Sequence, residues 1–269
     1  MAGGPVIQHP QFGPAMPSLN WIPAPRYVLR RDRVLRLLAG PPCRVLDIGC
    51  GPGALISELA ARGYDAYGVD RSAKAQELGR HLQDQSPNMH LHPELDEEWK
   101  ATFDLVMSFE VIEHLRDDIG ALREWREYLK PGGRMILSTP AHPSRWNAAD
   151  EWAGHVRRYT RQQLVDAVEK AGFIVEKVEC YGFPLANVME VLRARAYGRK
   201  LEAKKSVLKN AANMTADSGS DRSVDVSFWP IYSSAPSALI MSLFRNLQRP
   251  FLNSDLGNGF IVMAKVRAE

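Results

Sequence analysis

The stretch Val45-Leu46-Asp47-Ile48-Gly49-Cys50-Gly51-Pro52-Gly53 joins an apolar run to a turn that contains three glycines. The apolar run is typical of a buried strand, and residues 54–61 have the apolar spacing of a helix. Glycines are needed where the backbone turns sharply and approaches a ligand, because a Cβ atom would collide there. The sequence therefore predicts the opening βα unit of a nucleotide-binding domain, in which the first N–H groups of the helix face the ligand.

Two acidic residues distinguish this turn from a dinucleotide site. Asp47 lies two residues before the first glycine, where a carboxylate would repel a pyrophosphate but accept a hydrogen bond from a cationic amino group. Asp70 ends the second predicted strand, seventeen residues after Gly53, and is well placed to bind two ribose hydroxyls. The ligand is better interpreted as a nucleoside with an amino-acid tail than as a dinucleotide.

Composition indicates an ordinary globular protein. The 269 residues are 45% hydrophobic and 24% charged, enough for one large domain or for one domain with an elaboration. The net charge of +3 does not by itself indicate a nucleic-acid partner. Three cysteines without a C-x-x-C motif, no signal-peptide pattern and no apolar run near the ~20 residues of a membrane span predict a cytoplasmic protein.

Strand and helix patterns alternate along residues 43–140 and predict a mostly parallel sheet with helices on both faces. Strands are predicted at about 43–48, 65–70, 88–92, 103–109 and 134–139. Helices are predicted at about 54–62, 73–84 and 117–130, the last closed by Pro131-Gly132-Gly133. A helix at Tyr159–Ala171 and strands at Phe173–Cys180 and Phe260–Val266 complete the pattern.

Three segments flank or interrupt this core. Residues 1–25 are rich in proline, which predicts a disordered or extended arm over 1–15 and a packed segment over 19–25. A helix at Tyr27–Leu38 follows, with a solvated face of arginines (Arg26, Arg30, Arg33 and Arg36). Residues 183–257 are too long for an ordinary connection and predict a helical cap over the active site. It comprises a basic helix at Val188–Leu208, a polar loop at Asn213–Asp225 and an apolar helix at Ala235–Leu247.

A second motif follows the strand at 103–108. Glu110, Glu113 and His114 have the spacing i, i+3 and i+4, which one helical turn would place on one face at the carboxyl edge of the sheet. Two carboxylates and an imidazole would repel a further negative charge but suit a hard divalent cation, Mg²⁺ or Mn²⁺. The alternative is a structural turn that binds no metal.

Residues 45–53, 67–70, 103–115 and 129–140 together resemble the four ordered motifs of class I S-adenosylmethionine-dependent methyltransferases. The resemblance covers roughly residues 26–182 and the final strand. It implies an α/β fold with a Rossmann-like seven-stranded sheet and helices on both faces. The last strand would lie antiparallel between two earlier strands, with the helical insertion before it.

The same resemblance implies the cofactor contacts. Asp47 and the loop 49–53 would contact the methionine part of S-adenosylmethionine, and Asp70 the ribose. The loop His92–Leu95 would hold the adenine, although it lacks the usual acid directly after the strand. The implied cofactor-binding residues are Asp47, Gly49, Cys50, Gly51, Gly53, Asp70, Arg71, Glu94, Leu95 and Phe109.

A fourth metal ligand is implied by a narrower resemblance. E-x-x-E-H, followed by His155 just ahead of the helix near residue 160, is similar to the metal set of two methyltransferase groups. These are the ubiquinone-biosynthesis O-methyltransferases and the small-RNA 3′-terminal 2′-O-methyltransferases, which both methylate a hydroxyl with a neighbouring oxygen. The implied ligand set is Glu110, Glu113, His114 and His155.

Two histidines are candidates for the general base, since an imidazole titrates near neutral pH. His142 follows the strand that ends at Pro140, on the edge that faces the methyl donor in the family. Its alternative is a loop histidine between prolines without a catalytic role. His114 is the second candidate if no metal is bound.

The sequence thus predicts transfer of a methyl group from a sulfonium to a hydroxyl of a small molecule, such as a natural product, a sugar or a phenol, with assistance from Mg²⁺. An RNA 2′-O-methyltransferase is the first alternative, but the basic helix 193–205 contains only Tyr197 as a stacking aromatic. A non-catalytic protein that binds the cofactor as a regulatory ligand is the second. A dehydrogenase is the least favoured alternative. The sequence predicts no oligomeric state.

Overall fold

The computed structural model of the chain describes residues 5–38, 40–205 and 226–267. The strands of the described residues are β1 (Ile7–His9), β2 (Gly13–Ala15), β3 (Arg44–Ile48), β4 (Asp65–Val69), β5 (Met89–His92), β6 (Phe103–Phe109), β7 (Leu129–Pro140), β8 (Phe173–Tyr181) and β9 (Gly259–Val266). The helices are α1 (Pro25–Leu37), α2 (Ala54–Ala60), α3 (Ala73–Gln83), α4 (Asp118–Arg126), α5 (Ala148–Ala153), α6 (Arg161–Lys170), α7 (Leu185–Lys205), α8 (Trp229–Tyr232) and α9 (Ala235–Leu247).

The central sheet has seven strands in the order β5-β4-β3-β6-β7-β9-β8. Strands β3 to β7 pair in parallel, whereas β9 pairs antiparallel with β7 on one side and with β8 on the other. This confirms the predicted seven-stranded α/β fold and the position of its last strand. The carboxyl ends of β3, β4, β5, β6 and β7 lie at one edge of the sheet, which is where open α/β sheets bind ligands.

The sheet is covered on both faces because its side chains alternate. Val45, Leu105 and Ile136 belong to an apolar cluster that also contains residues of α1, α2, α3 and α9. Leu46 and Val106, their neighbours along the chain, belong to a second cluster that contains residues of α4 and α6. The near-continuous apolar runs of the strands therefore fill two cores, as expected for parallel strands that are buried on both faces.

The prediction for Pro131-Gly132-Gly133 is corrected. Helix α4 ends at Arg126, and residues 131–133 lie within β7 instead of between a helix and a strand. Phe103 of β6 pairs with Leu129 and Leu105 pairs with Arg134, so three extra residues of β7 bulge out of the ladder. Proline cannot donate a ladder hydrogen bond and Gly132 has a φ of +74°, which accounts for the bulge.

The prediction of a disordered or extended arm over residues 1–15 is wrong for 7–15. Strands β1 and β2 form an antiparallel hairpin there, and Phe12 and Ala15 are fully buried in the first apolar cluster. The ring of Phe12 packs against Trp229 and Tyr232 in α8. Burial of these apolar side chains stabilises an ordered hairpin despite the proline-rich composition. The predicted packing of residues 19–25 is confirmed by the burial of Trp21 and Ile22.

The predicted solvated face of arginines on α1 is wrong for three of its four residues. Arg33 is buried and its guanidinium forms two hydrogen bonds with Glu179 in β8, at 2.8 and 3.0 Å. Arg26 and Arg30 point toward the carboxyl edge of the sheet, where both pair with Glu110. Arg36 is exposed and pairs with Asp32 one turn earlier. Buried arginines need carboxylate partners, and those partners lie far away in sequence.

The predicted insertion at residues 183–257 contains α7, α8 and α9. Helix α9 packs against α1, and Trp229 and Met241 join the first apolar cluster. The predicted polar loop Asn213–Asp225 lies outside the described residues. Among the described helices, none combines the length and the apolar composition that a membrane crossing requires.

Candidate active site

The glycine turn joins β3 to α2 and leaves open space at its middle. Gly49, Gly51 and Gly53 have φ values of +77°, +57° and +80°, which side chains rarely adopt. A Cβ atom on Gly49 would lie 2.3 Å from a methyl of Val111, and one on Gly53 would lie 2.5 Å from the terminal methyl of Met89. A Cβ atom on Gly51 would meet no atom within 4 Å. The outer glycines are therefore required by packing, and the middle one faces a space where a ligand can approach.

Asp47 supplies an unpartnered carboxylate oxygen beside this space. Its side chain is 3% exposed, and its Oδ1 atom has no hydrogen-bond partner among the described residues. Burial raises the pKa of Asp47 to about 7, the nearby charge of Arg30 opposes this rise, and Asp70 adds to it. A buried carboxylate without a partner is costly, so the position suits a ligand that brings a cationic amino group.

Asp70 is oriented by the backbone around it. Its Oδ2 accepts a hydrogen bond from the N–H of Gly51 at 2.8 Å, and its Oδ1 accepts one from the N–H of Ser72 at 2.9 Å. The side-chain amide of Gln76 donates to the carbonyls of Asp70 and His92, which ties the ends of β4 and β5 together. Each carboxylate oxygen retains a lone pair for a further donor, such as a hydroxyl.

The other predicted cofactor residues differ in their burial and in their contacts. The thiol of Cys50 donates to the carbonyl of Gly51 at 3.3 Å, and burial raises its pKa well above the usual value. The ring of Phe109 is buried, with the guanidinium of Arg30 5.2 Å from its centroid. Arg71 and Glu94 are exposed and Leu95 is half-buried, on the loops that follow β4 and β5. The structure thus brings Asp47, the glycine turn, Asp70 and Phe109 to one edge.

The structure gathers three of the four predicted metal ligands. One ligand atom from each of Glu113, His114 and His155 lies within 4.8 Å of the others. Glu113 is fully buried; its Oε2 accepts a hydrogen bond from the hydroxyl of Thr139 at 3.2 Å, and its Oε1 has no hydrogen-bond partner among the described residues. His155 Nε2 lies 3.9 Å from that Oε1 atom. Two imidazoles and one carboxylate form a donor set that suits a divalent cation.

Glu110 lies outside that cluster, because arginines neutralise it. Its Oε2 is 2.5 Å from Arg26 and its Oε1 is 3.4 Å from Arg30, and the hydroxyls of Ser138 and Tyr181 donate to Oε1 at 2.8 and 3.2 Å. Burial opposes ionisation, yet Arg26 and Arg30 lower the pKa of Glu110 to about 2.

The predicted helical turn over Glu110–His114 is wrong. Glu110 has a φ of +61°, and only Ile112–His114 is helical, as a single 3₁₀ turn. The kink at Glu110 turns its side chain toward Arg26 and Arg30 on α1. Val111, the next residue, packs against Gly49, so this segment lies directly beside the glycine turn.

The pKa values of Glu113 and His114 are both shifted in the direction that favours the neutral form. Burial and the negative charge of Glu110 raise the pKa of Glu113 well above its ordinary value. Burial and the neighbouring His155 lower the pKa of His114 to about 4. A cation bound beside Glu113 would oppose the shift of that group, because it would favour the ionised carboxylate.

His155 is held in place by residues that the sequence analysis did not single out. Its Nδ1 atom donates to Asp150 at 2.8 Å, and its Nε2 atom lies on the side of Glu113. Asp150 in turn receives two hydrogen bonds of 2.7 Å from Arg158. Burial raises the pKa of Asp150, but the hydrogen bonds from His155 and Arg158 and the charge of Arg158 lower it to about 2. The sequence G-H-V-R-R-Y contains Arg158, but no local pattern pairs it with Asp150.

A cavity of about 210 Å³ opens beside this cluster. Arg26 and Arg30 of α1, His114 and His155 line it, and α7 contributes Met189, Glu190 and Arg193. Arg158 also donates to Glu190 at 2.6 Å, which fixes α7 to the site. The cavity therefore lies between the sheet edge, α1 and α7.

His142, the other candidate for the general base, lies elsewhere. His142 is not among the described residues that line the cavity, and its Nε2 atom is 3.2 Å from the carbonyl oxygen of Gly257. Burial and the nearby Arg145 lower its pKa. This placement supports the loop interpretation of His142 over the role of general base.

Comparisons of the sequence and of the structure with known proteins both find methyltransferases. A family model described as a methyltransferase domain matches residues 24–178, more than half of the chain. The ubiquinone biosynthesis O-methyltransferase of Cereibacter sphaeroides is 32% identical over 146 residues, which are 48% of this chain and 59% of that protein. The enzyme of the same name from Aromatoleum aromaticum is 37% identical over 116 residues, 41% of this chain and 50% of that protein.

The matched region spans between half and three-fifths of these curated relatives. Among solved structures, phosphoethanolamine N-methyltransferase 2 of Haemonchus contortus, in complex with S-adenosyl-L-methionine, has a TM-score of 0.53 and 18% sequence identity. The likeness covers 89% of this chain and 52% of that one. At this identity it shows the shared fold alone.

Proposed function

Because the chain belongs to the class I S-adenosylmethionine-dependent methyltransferase family, we propose that it transfers a methyl group from S-adenosylmethionine to a hydroxyl group of a small molecule. The observation that supports a hydroxyl acceptor is the cluster of Glu113, His114 and His155, because the two histidines line the cavity at the carboxyl edge of the sheet. The names of the two curated relatives, both O-methyltransferases, support the same acceptor chemistry.

The chain's own residues fit the cofactor. The unpartnered Oδ1 of Asp47 would accept a hydrogen bond from the amino group of the methionine part, and the open space at Gly51 would admit the ligand without a Cβ collision. The carboxylate of Asp70, fixed by two backbone N–H groups, would accept the ribose hydroxyls. The bound cofactor supplies an electrophilic methyl group on a sulfonium.

A divalent cation, Mg²⁺ or Mn²⁺, fits the three-residue cluster. Among the described residues, Glu113 Oε1 is buried without a hydrogen-bond partner, and His155 Nε2 lies 3.9 Å from it, so these two atoms would be available to bind a cation. When bound, the cation would orient an acceptor hydroxyl and lower its pKa. Asp150 would keep His155 in the required tautomer, as carboxylates do for metal-ligating histidines in other proteins.

The dimensions and charge of the cavity support a small acceptor. Arg26 and Arg30 share the carboxylate of Glu110, and Arg158 pairs with both Asp150 and Glu190. Three arginines therefore face three carboxylates, which gives a polar wall with little excess charge. Arg26 Nε and Asn258 Oδ1 are buried without partners among the described residues, and both belong to cavity-lining residues. These two atoms would hydrogen-bond to polar groups of the acceptor and fix its position relative to the methyl donor.

The proposal is tested by incubating the protein with methyl-labelled S-adenosylmethionine, Mg²⁺ and separate panels of catechols, simple phenols and single-stranded RNA. We expect label in a hydroxylated small molecule and loss of most of the activity after EDTA treatment, with recovery on adding Mg²⁺ or Mn²⁺. Label in RNA alone would contradict the acceptor class. Tight binding of S-adenosylhomocysteine without label transfer to any fraction, including a cell extract, would favour a non-catalytic role.

A further inference from the structure

Helix α9 carries an apolar stripe on the side that faces away from the protein. Leu239, Ile240, Leu243 and Leu247 are all exposed, with Leu239 at 73% and Leu243 at 62% of their full surface. Their spacing of i, i+1, i+4 and i+8 places them along one side of the helix. Met241, on the other side, is buried in the first apolar cluster. The helix is thus attached to the body by one face and presents a second apolar face outward.

The stripe continues onto α8, which precedes α9 and packs against it. Phe228 is exposed next to α8, and Ile231 within it is 62% exposed. Single exposed apolar residues are ordinary, but a contiguous set marks a binding surface. We call Phe228, Ile231, Leu239, Ile240, Leu243 and Leu247 the apolar face.

The charged residues within the sequence of the apolar face are arginines, and the nearest acids along the chain, Asp225 and Asp255, lie just outside it. Residues 226–254 contain no aspartate or glutamate, and their charged residues are Arg245 and Arg249. Arg249 is exposed, just beyond the end of the stripe at Leu247. Helices with an apolar face, flanking cations and no acids are suited to anionic lipid surfaces, where headgroups attract the arginines and acyl chains receive the apolar side chains.

We propose that the apolar face binds the surface of an anionic lipid bilayer, with α9 parallel to the plane of the membrane. Its 13 residues are about 20 Å long at ~1.5 Å per residue, which suits a surface orientation over a crossing of the ~30 Å hydrocarbon core. Because α9 is attached to the body through α1 and Gln248, the whole protein docks as a unit. The inference is independent of the acceptor that the cavity takes.

The first test is sedimentation of the whole chain with large vesicles. One vesicle preparation contains phosphatidylcholine alone, and the other contains phosphatidylcholine mixed with phosphatidylglycerol. We expect at least tenfold stronger binding to the mixed vesicles at low salt, and a clear loss of that difference at high salt, because salt screens the arginines. Absence of binding to the mixed vesicles at low salt would overturn the proposal.

The second test uses variants of the face. The double variant Leu239→Ser with Leu243→Ser should bind the mixed vesicles at least tenfold more weakly, whereas Ile174→Ser, an equally apolar exposed residue on β8, should bind like the unchanged protein. Retained affinity for S-adenosylhomocysteine shows that each variant folds, and Ile240→Ser with Leu247→Ser serves as a second pair if the first is unstable. Arg249→Gln should reduce the preference for phosphatidylglycerol severalfold.

Two outcomes would overturn the proposal outright. One is vesicle binding by both double variants that equals that of the unchanged protein. The other is a dimer in light scattering that both double variants convert to a monomer, with no vesicle binding by the unchanged protein, because the face would then belong to a second copy of the chain.

Discussion

Asp47 links the pH of the solution to both stability and cofactor binding. Its pKa of about 7 in the folded protein lies well above the ordinary value of 3.8, mainly because the carboxylate is buried. An acid with a raised folded-state pKa binds its proton more tightly when folded, so the folded state loses stability as pH rises from about 4 to about 7 and loses no more above that. Without a bound ligand, Asp47 therefore destabilises the protein at neutral pH.

The first prediction uses this shift. A cationic amino group requires the ionised carboxylate, so S-adenosylhomocysteine should bind roughly fivefold more weakly at pH 6 than at pH 7, because the ionised fraction of Asp47 falls from about one half to about one tenth. Calorimetry measures this directly. Asp47→Asn should bind the ligand more weakly with an affinity that hardly changes over the same range, while its unfolding free energy without ligand should exceed that of the unchanged protein at pH 7. An equally steep pH dependence in the asparagine variant would assign the effect to another group.

The second prediction concerns Asp70. Two charge-assisted hydrogen bonds to the ribose are each worth about 1.5–3 kcal/mol, so Asp70→Ala should weaken S-adenosylhomocysteine binding by more than tenfold. Asp65→Ala is the matched control, because Asp65 is the first residue of β4, at the end opposite to the one that Asp70 follows. Calorimetric affinity that is unchanged in Asp70→Ala would remove this residue from the site.

The third prediction separates three metal ligands from four. Mn²⁺ should bind once per chain in calorimetry, and Glu113→Gln or His155→Ala should each abolish that binding. Glu110→Gln should retain it, because Glu110 is occupied by Arg26 and Arg30 and not by the cluster. Loss of Mn²⁺ binding in Glu110→Gln to the same extent as in Glu113→Gln would restore the four-ligand set, and binding retained in all three variants would leave the cluster as a structural feature.

The residue scale also shows where sequence reasoning ends. The motif E-x-x-E-H identified the right segment, and His155 was found through resemblance. The sequence could not show that Glu110 adopts a φ of +61°, or that arginines from α1, eighty residues earlier, would reach it. The Asp150–Arg158 pair was missed for a similar reason, since it joins the N-terminal turn of α5 to the segment before α6. Side-chain pairing across elements depends on tertiary geometry that no local pattern records.

At the scale of elements, α1 is joined to the sheet by a buried ion pair. The guanidinium of Arg33 and the carboxylate of Glu179 are both buried, and two hydrogen bonds connect them. Removing one partner of such a pair leaves the other charge buried alone, which costs about 3–5 kcal/mol. This contact connects the helix that carries Arg26 and Arg30 to β8, on the far side of β9.

The fourth prediction follows from that pair. Glu179→Ala should lower the unfolding free energy by about 3–5 kcal/mol. Glu176 lies in the same strand as Glu179 and pairs with the half-exposed Arg134 of β7, so Glu176→Ala should lower the unfolding free energy by less than ~1 kcal/mol. Chemical denaturation measures both. Equal losses in the two variants would show that Arg33 finds water or another acceptor when Glu179 is absent.

Element boundaries were the most predictable part of the fold. Apolar periodicity placed every strand of the sheet within a few residues, because buried parallel strands leave nearly continuous apolar runs between glycines. The exceptions have physical causes. Pro131-Gly132-Gly133 is a turn pattern, but it bulges inside β7, since pairing with β6 resumes on the other side. The prediction for residues 7–15 relied on their prolines, whereas the burial of Phe12 stabilises an ordered hairpin there.

At the scale of the whole molecule, the cavity joins the sheet edge to the insertion. Met189, Glu190 and Arg193 of α7 line it together with residues of α1, and Arg158 holds Glu190 in place. Asp47 and Asp70, the residues proposed to bind the cofactor, lie at the sheet and not on the insertion. Acceptor binding and cofactor binding should therefore respond separately to changes in α7.

The fifth prediction tests that separation. Met189→Trp should fill part of the cavity and lower turnover of any accepted small molecule by at least tenfold, while S-adenosylhomocysteine affinity changes less than twofold. Val191→Trp is the control on the same helix, because Val191 is exposed and does not line the cavity. A parallel loss of cofactor affinity in Met189→Trp would place the cofactor nearer to α7 than proposed here.

The position of β9 has a consequence for how the protein is made. This strand follows every other strand of the sheet in sequence, yet it lies between β7 and β8. While a ribosome is still translating residues 182–258, β7 and β8 have no partner for the edges that β9 will join. The unpaired N–H and C=O groups of those edges are able to pair with strands of other chains. We therefore expect the nascent protein to depend on chaperones until its last strand emerges, and to be unusually sensitive to premature termination.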